Sequence, residues 1–147
     1  MELNELDEKI LKVLLEDARL SSRRIAKNIG VAVGTVLSRI KKMEEEGLIR
    51  GYSALLDHEK LGYPLTVVTE ITVSKGRLVE MENEIAKIPN VCLVYDVTGL
   101  TDAFVIAKFR TREDLGYFTK RLLALPYLER TNTHVVLTTV KENFQLI

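Results

Sequence analysis

The stretch Arg19–Lys42, RLSSRRIAKNIGVAVGTVLSRIKK, decides how this chain is read, because it carries seven lysines and arginines and no acid. Basic and acidic residues balance at 21 each over the 147 residues, so the remaining 123 carry a net charge of minus seven. The charge is segregated, and the question is what the block builds. Ser21 stands where it can cap a helix, Ile25 and Ile29 follow four apart, and Gly30 supplies a left-handed stop. Three residues later a second pattern opens, with Val36, Ile40 and Met43 on its buried side, and it ends at Gly47 after the acidic run EEE. Upstream, Leu6, Ile10, Val13 and Leu14 recur at helical spacing behind Asp7 and Glu8, acids that favour a helix start. That gives a first helix over roughly residues 6–16.

Two helices joined by a glycine-containing turn, behind a preceding helix, are the outline of a helix-turn-helix. The following LIRGYSALL reads as strand-like and occupies the place of a wing. At about 100° per residue, Gly34, Thr35, Ser38, Lys41 and Lys42 fall on the outward side of the last helix, with Arg39 beside them. A second helix of this kind enters the major groove, where small hydroxyl side chains reach base edges and cations bind phosphates. Thr35 and Ser38 suit the first role, and Arg23, Arg24, Lys27, Arg39, Lys41 and Lys42 the second. Glu45, one turn after Lys41, repels phosphate, so contact is expected toward the N-terminal half of the helix. A run of cations is by itself most often a solvated face. Here it spans both helices of a turn-linked pair, excludes acids and sits in an otherwise acidic chain, which favours double-stranded DNA as partner.

Composition bounds the rest. An apolar fraction of 46% with eight glycines and three prolines fits a compact globular chain. No stretch approaches the roughly 18 consecutive apolar residues of a membrane span. The acidic start MELNELDEK lacks the basic and apolar regions of a signal peptide, so a cytoplasmic protein with no membrane partner is expected. A single cysteine makes no internal disulfide, and Cys92, inside VCLVYDV, is expected as a small buried core residue.

From Leu65 the period changes. LTVVTEITV reads as a strand and RLVEMENEIAKI as a helix carrying Leu78, Met81, Ile85 and Ile88 inward. VCLVYDVT is a second strand, and a tight turn at Gly99 leads to a third, DAFVIAKF. A helix opened by Thr111, with Asp114 three residues on as in a capping box, carries Leu115, Phe118 and Leu122. TNTHVVLTTV closes the chain as a last strand. The order β-α-β-β-α-β is that of ferredoxin-like folds, and KIPNV and ALPYL stand at matching helix ends. The expected class is α+β: residues 1–52 a winged helix-turn-helix, 53–63 a linker or hinge strand, and 64–147 a ferredoxin-like sandwich. Its strands are apolar on both faces, whereas two helices cover only one, so the second face is expected to meet a second copy or, less simply, the wing or linker. A homodimer also supplies two recognition helices for two half-sites.

Together LDEKILKVLLEDARLSSRRIAKNIG, TVLSRIKKMEEEGLIRGYSALLD, LGYPLTVVTEITV, VYDVTGLTD and LERTNTHVVLTTVKE resemble the Lrp/AsnC, or feast/famine, family of transcription regulators over essentially the whole chain. The resemblance implies an N-terminal winged helix-turn-helix and a C-terminal effector domain of the RAM type, in homodimers that often join as a tetramer of dimers, an octamer. It implies a small effector, usually an amino acid and no other cofactor, held near the hairpin after the third strand of the chain and near the start of the last strand. Here those are Thr98, Gly99, Leu100, Thr101 and Asp102, with Thr131, Thr133 and His134. The chemistry fits: a carboxylate such as Asp102 accepts from an ammonium, while glycine-turn N–H groups and threonine hydroxyls donate to a carboxylate. Taken alone, Asp102 is more often a turn residue bound to its own backbone, and His134 more often a satisfied sheet histidine. Two departures from the family stand out: Leu100 where an acid is frequent, and Ala32 where a helix-capping serine is frequent.

The leading function is a sequence-specific DNA-binding regulator whose assembly or affinity responds to an amino acid. A non-specific architectural DNA-binding protein keeps the block and the dimer without the response. An enzyme is not expected, since His58 and His134 lie in separate segments and neither a Gly-rich phosphate loop nor HExxH is present.

Overall fold

The computed structural model describes residues 3–146. The chain divides into two units, Met1–Leu55 with Glu142–Ile147, and Leu56–Lys141. The described residues from Glu142 on thus group with the first unit.

The first unit holds α1 (Glu5–Glu16), α2 (Ser22–Ile29) and α3 (Val33–Glu45). A reciprocal capping box opens α1: the Asp7 N–H donates to Asn4 Oδ1 at 3.0 Å and the Asn4 N–H to Asp7 Oδ2 at 3.1 Å. At α2 the Ser21 hydroxyl accepts from the Arg24 N–H at 3.3 Å, and Gly30 closes the helix at φ +75°. Ala32 precedes α3 without any side-chain cap, and Gly47 follows it at φ +72°. Ile10, Ile25, Val36 and Met43 are each at most 1% exposed, and Leu14, Ile29 and Ile40 pack against both groups of buried side chains. Each such burial contributes roughly 1.5–3 kcal/mol.

The expected wing strand is not formed. Between Glu46 and Pro64 no described residue lies in a strand: residues 50–57 have no neighbouring strand to complete their backbone hydrogen bonds, and residues 58–62 form a turn. Tyr52 ties it to the preceding helix by donating its hydroxyl to Glu44 Oε1 at 2.9 Å. At the other end of the chain, Gln145 Nε2 donates to the Leu15 carbonyl at 3.2 Å, where a helix C-terminus leaves carbonyls unsatisfied.

The second unit runs β1 (Leu65–Val73), α4 (Leu78–Ala86), β2 (Val91–Asp96), β3 (Ala103–Phe109), α5 (Arg112–Leu123) and β4 (Leu128–Val135). Its antiparallel sheet has the order β2-β3-β1-β4, the β-α-β-β-α-β arrangement read from the sequence. Thr111 and Asp114 form the expected capping box of α5. The last strand begins at Leu128 and ends at Val135 instead of running on to Val140. Val67, Ile71, Val105, Ala107 and Phe109 form one sheet face and pack with Met81, Ile85, Phe118 and Leu122 of the helices. The opposite face carries half-buried Val68, Leu93, Phe104 and Ile106 beside Tyr95, which is 48% exposed.

Cys92 departs from expectation. The β2–β3 register shifts between Val91 and Leu93, and the irregularity leaves the cysteine exposed rather than in the core.

Candidate functional site

In the first unit the outward side of α3 is built as its periodicity requires. Thr35, Ser38, Lys41 and Lys42 are exposed, while Val36 and Met43 are fully buried beneath them. Arg23, Arg24 and Lys27 are exposed on α2. Two helix-internal ion pairs sit at the far end of α3, Lys41 with Glu45 at 3.6 Å and Lys42 with Glu46 at 3.8 Å. These pairs are solvent-exposed, and exposed pairs contribute little, on the order of 0.3–0.5 kcal/mol. A phosphate can displace the acids at small cost. The sequence reading passed over Leu37, which is 54% exposed on the same helix. Its signal was an apolar residue out of phase with the buried stripe. In a major groove such a side chain suits the C5-methyl of thymine.

Arg39 differs from the expectation of a cation free for phosphate. Its Nε donates to Asp7 Oδ1 at 2.6 Å and its Nη2 donates to Asp7 Oδ2, and Asp7 is 0% exposed. The Arg39 guanidinium holds the Asp7 carboxyl below the usual carboxylate range, and Asp7 in turn raises Arg39. An acid beside the start of α1 looked like simple helix-dipole chemistry in sequence, and its partner lies 32 positions away.

In the second unit the hairpin 97–102 is braced against the end of β1. The Asp102 N–H and the Thr101 hydroxyl both donate to the Ile71 carbonyl, each at 2.9 Å. Asp102 Oδ2 accepts the Val73 N–H at 2.8 Å, beside the register shift at Thr72/Val73. Gly99 has φ +122°, a conformation glycine adopts freely, and Leu100 is 99% exposed at the tip. Thr98 is exposed beside them.

Ile71 of β1 pairs with Ala103 on one side and Thr131 on the other, so a single strand links the hairpin to the start of β4. Alternation then splits the predicted β4 residues. Thr131 and Thr133 share the helix-covered side, and the Thr133 hydroxyl lies 3.1 Å from that of Thr69, which is 0% exposed. His134 projects from the other face. There its Nε2 lies 3.0 Å from Glu70 Oε2, which also accepts from Asn132 Nδ2 at 2.7 Å. These contacts hold the Glu70 carboxyl below its ordinary range, the His134 hydrogen bond chiefly and Asn132 next. Glu70 was missed in sequence, although a charge inside LTVVTEITV was the available signal. Among the described residues no group of three or more His, Cys, Asp and Glu is arranged to hold a metal ion, and no helix is long and apolar enough to cross a membrane.

Comparison with known proteins matches both units. Residues 3–50 fit the family described as winged helix-turn-helix DNA-binding, and residues 66–146 the Lrp/AsnC ligand binding domain. An uncharacterized HTH-type transcriptional regulator of Pyrococcus furiosus is 51% identical over 146 residues, 99% of each chain. The HTH-type transcriptional regulator FL11 of Pyrococcus horikoshii is 35% identical over 144 residues, 98% of this chain and 95% of that protein. A transcriptional regulator of Neisseria meningitidis, solved as its complex with L-Met, is similar in structure with a TM-score of 0.91 at 26% identity, covering 99% of this chain and 97% of that one.

Proposed function

The chain belongs to the Lrp/AsnC family of DNA-binding transcriptional regulators, and from that premise we propose that it reads specific DNA sites as a homodimer and alters its assembly or affinity when an amino acid binds. The observation that carries the reading is the outward side of α3, where Thr35, Ser38 and Leu37 are exposed between the cations of α2 and the lysines Lys41 and Lys42. Hydroxyls and one apolar side chain have base-edge partners in a major groove, and the flanking cations have phosphates. A protein that only coats DNA needs the cations and not the rest.

A homodimer is supported by the helix-free sheet face, where Val68, Leu93, Tyr95, Phe104 and Ile106 leave apolar surface for a second copy. Such dimers can join into a tetramer of dimers. Two-fold symmetry puts two α3 helices on two half-sites. The protein then works in the cytoplasm, where its DNA lies.

The effector proposal rests on the hairpin 98–102 with its neighbours on β4. Asp102 keeps one carboxylate oxygen beyond the one bound by Val73, enough to accept from an ammonium. Leu100 at the tip offers apolar surface where a charge is frequent in the family, which favours an amino acid with an apolar side chain. L-methionine, the ligand of the Neisseria regulator, is the first to test. Coupling of about 1–3 kcal/mol between ligand and DNA is the ordinary size of such a switch.

The test is retention of genomic fragments by the purified protein across a salt series, with and without L-methionine and then a mixed amino-acid pool. A few retained fragments, with log affinity falling at a slope between about −5 and −9 per dimer, support the reading, at about 0.9 per phosphate neutralised. Equal retention of all fragments supports the architectural alternative. Unchanged affinity and assembly at saturating amino acid overturn the effector role.

A further inference from the structure

The Asp7–Arg39 pair joins the first turn of α1 to the middle of α3, a charged and directional contact beside the apolar ones that seat the buried side of that helix. Val36, Ile40 and Met43 hold α3 through apolar burial, which is non-directional and tolerates small rotations about the helix axis. Ala32 gives the start of α3 no side-chain cap, so that end contributes no directional contact of this kind. The Arg39 fork, with two donors on two oxygens of one carboxylate, does have a direction. Its acceptor is immobile too, because Asp7 also receives the Asn4 N–H at 3.1 Å as part of the capping box of α1. With Asp7 0% exposed, moving Arg39 away to a phosphate would strand a buried carboxylate without its charge partner.

We propose that Asp7 is a positioning residue for DNA reading: by holding Arg39 against α1 it sets the rotation of α3 that aims Thr35 and Ser38, and it keeps one cation of the basic block out of the phosphate footprint. The inference rests on reading α3 as the DNA-contacting helix. Arg39 stands next to Ser38 in sequence and one turn from Thr35, so a small rotation of α3 re-aims both hydroxyls together. The arrangement subtracts sequence-independent attraction while adding geometric definition, and both effects raise the ratio of specific to non-specific binding.

The experiment compares wild type, D7N, R39M and the double variant D7N/R39M in the full chain, each checked for native helix content by circular dichroism. Each is titrated with a retained genomic fragment and with an unrelated duplex across a salt series. The double variant removes the charge pair together, so no buried charge is left without its partner.

In D7N the released Arg39 is expected to steepen the salt slope by about 0.9 per recognition helix and to reduce the specific-to-non-specific ratio at least tenfold. In R39M and in the double variant the slope is expected to equal that of wild type, with the ratio again reduced. A slope that falls by about 0.9 per helix in either variant lacking Arg39 means that this side chain neutralises a phosphate, and overturns the proposal. An unchanged ratio in the folded double variant overturns it as well. If D7N does not fold, the double variant decides by the same two readouts. If wild type prefers no fragment, the sequence-specific reading fails, while the slopes still decide whether Asp7 withholds Arg39.

Discussion

Asp102 and Val73 are joined by a 2.8 Å hydrogen bond from the backbone N–H of one to the carboxylate of the other, across the end of β1 where the β4 ladder shifts register. The hairpin acid is therefore part of the scaffold before any ligand arrives. Two substitutions separate its tasks. D102A removes the acceptor and is expected to lower stability by about 1–3 kcal/mol, the cost of a partly buried N–H left without a partner. D102N keeps a carbonyl oxygen for Val73 and is expected to remain within about 1 kcal/mol of wild type. Both are expected to lose the amino-acid response. Thermal unfolding and calorimetric titration with L-methionine check the two halves, and an unaltered response in D102N would remove Asp102 from the ligand site.

Ala32 occupies the N-cap of α3 with φ −68° and ψ 144°, the extended conformation that a capping serine adopts, yet no side chain satisfies the first N–H groups. A32S is expected to stabilise the first unit by about 0.5–2 kcal/mol. A rise in the unfolding midpoint with unchanged denaturant dependence checks this, and a fall would mean that the helix start is already satisfied in another way.

Leu37 is 54% exposed on the same helix as Thr35 and Ser38. L37A is expected to relax sequence preference at one A·T position by up to about 1–3 kcal/mol, the usual weight of a single base pair. The salt slope should not change, because no cation is lost. Selection from a randomised duplex pool reads out the position, and an unaltered preference would take Leu37 off the DNA.

Acid stability follows from two carboxylates. Asp7 is lowered chiefly by the Arg39 hydrogen bonds, and Glu70 chiefly by His134 with Asn132 second. A group lowered in the folded state contributes stability fully present above its unfolded value, about 3.9 for Asp and 4.3 for Glu, and loses it as pH falls through the folded value. Stability is therefore expected to decline below about pH 4, with the decline reduced in D7N and, more weakly, in E70Q, since Glu70 is partly solvated. Denaturant unfolding between pH 3 and 7 checks it. An acid limb identical in D7N and wild type would mean that the buried pair does not govern it.

Much of this protein was legible in one dimension because the relevant physics is local. The helices of the first unit, the caps at Ser21 and Thr111 and the stop at Gly30 follow from contacts within four residues. The helix period also separated the outward Thr35, Ser38, Lys41 and Lys42 from the buried Val36 and Met43. Cys92 was misjudged because its neighbours are apolar while a bulge in the ladder turns it outward, and ladder register depends on a strand far along the chain. The strand-like reading of LIRGYSALL failed for the converse reason: residues that suit a strand do not make one without a partner to pair with.

Periodicity, caps and the charge block thus determined the order of elements, the β-α-β-β-α-β plan and the outward side of α3, since each depends on spacing along one helix or strand. Only the tertiary structure decided which polar groups are already taken. Arg39 is held by an aspartate 32 residues earlier, Thr133 by Thr69, His134 by Glu70 and Asp102 by Val73. A side chain's chemistry is written in its type, but its availability depends on what folding brings within hydrogen-bond reach, and those partners lie across helices and strands rather than along them.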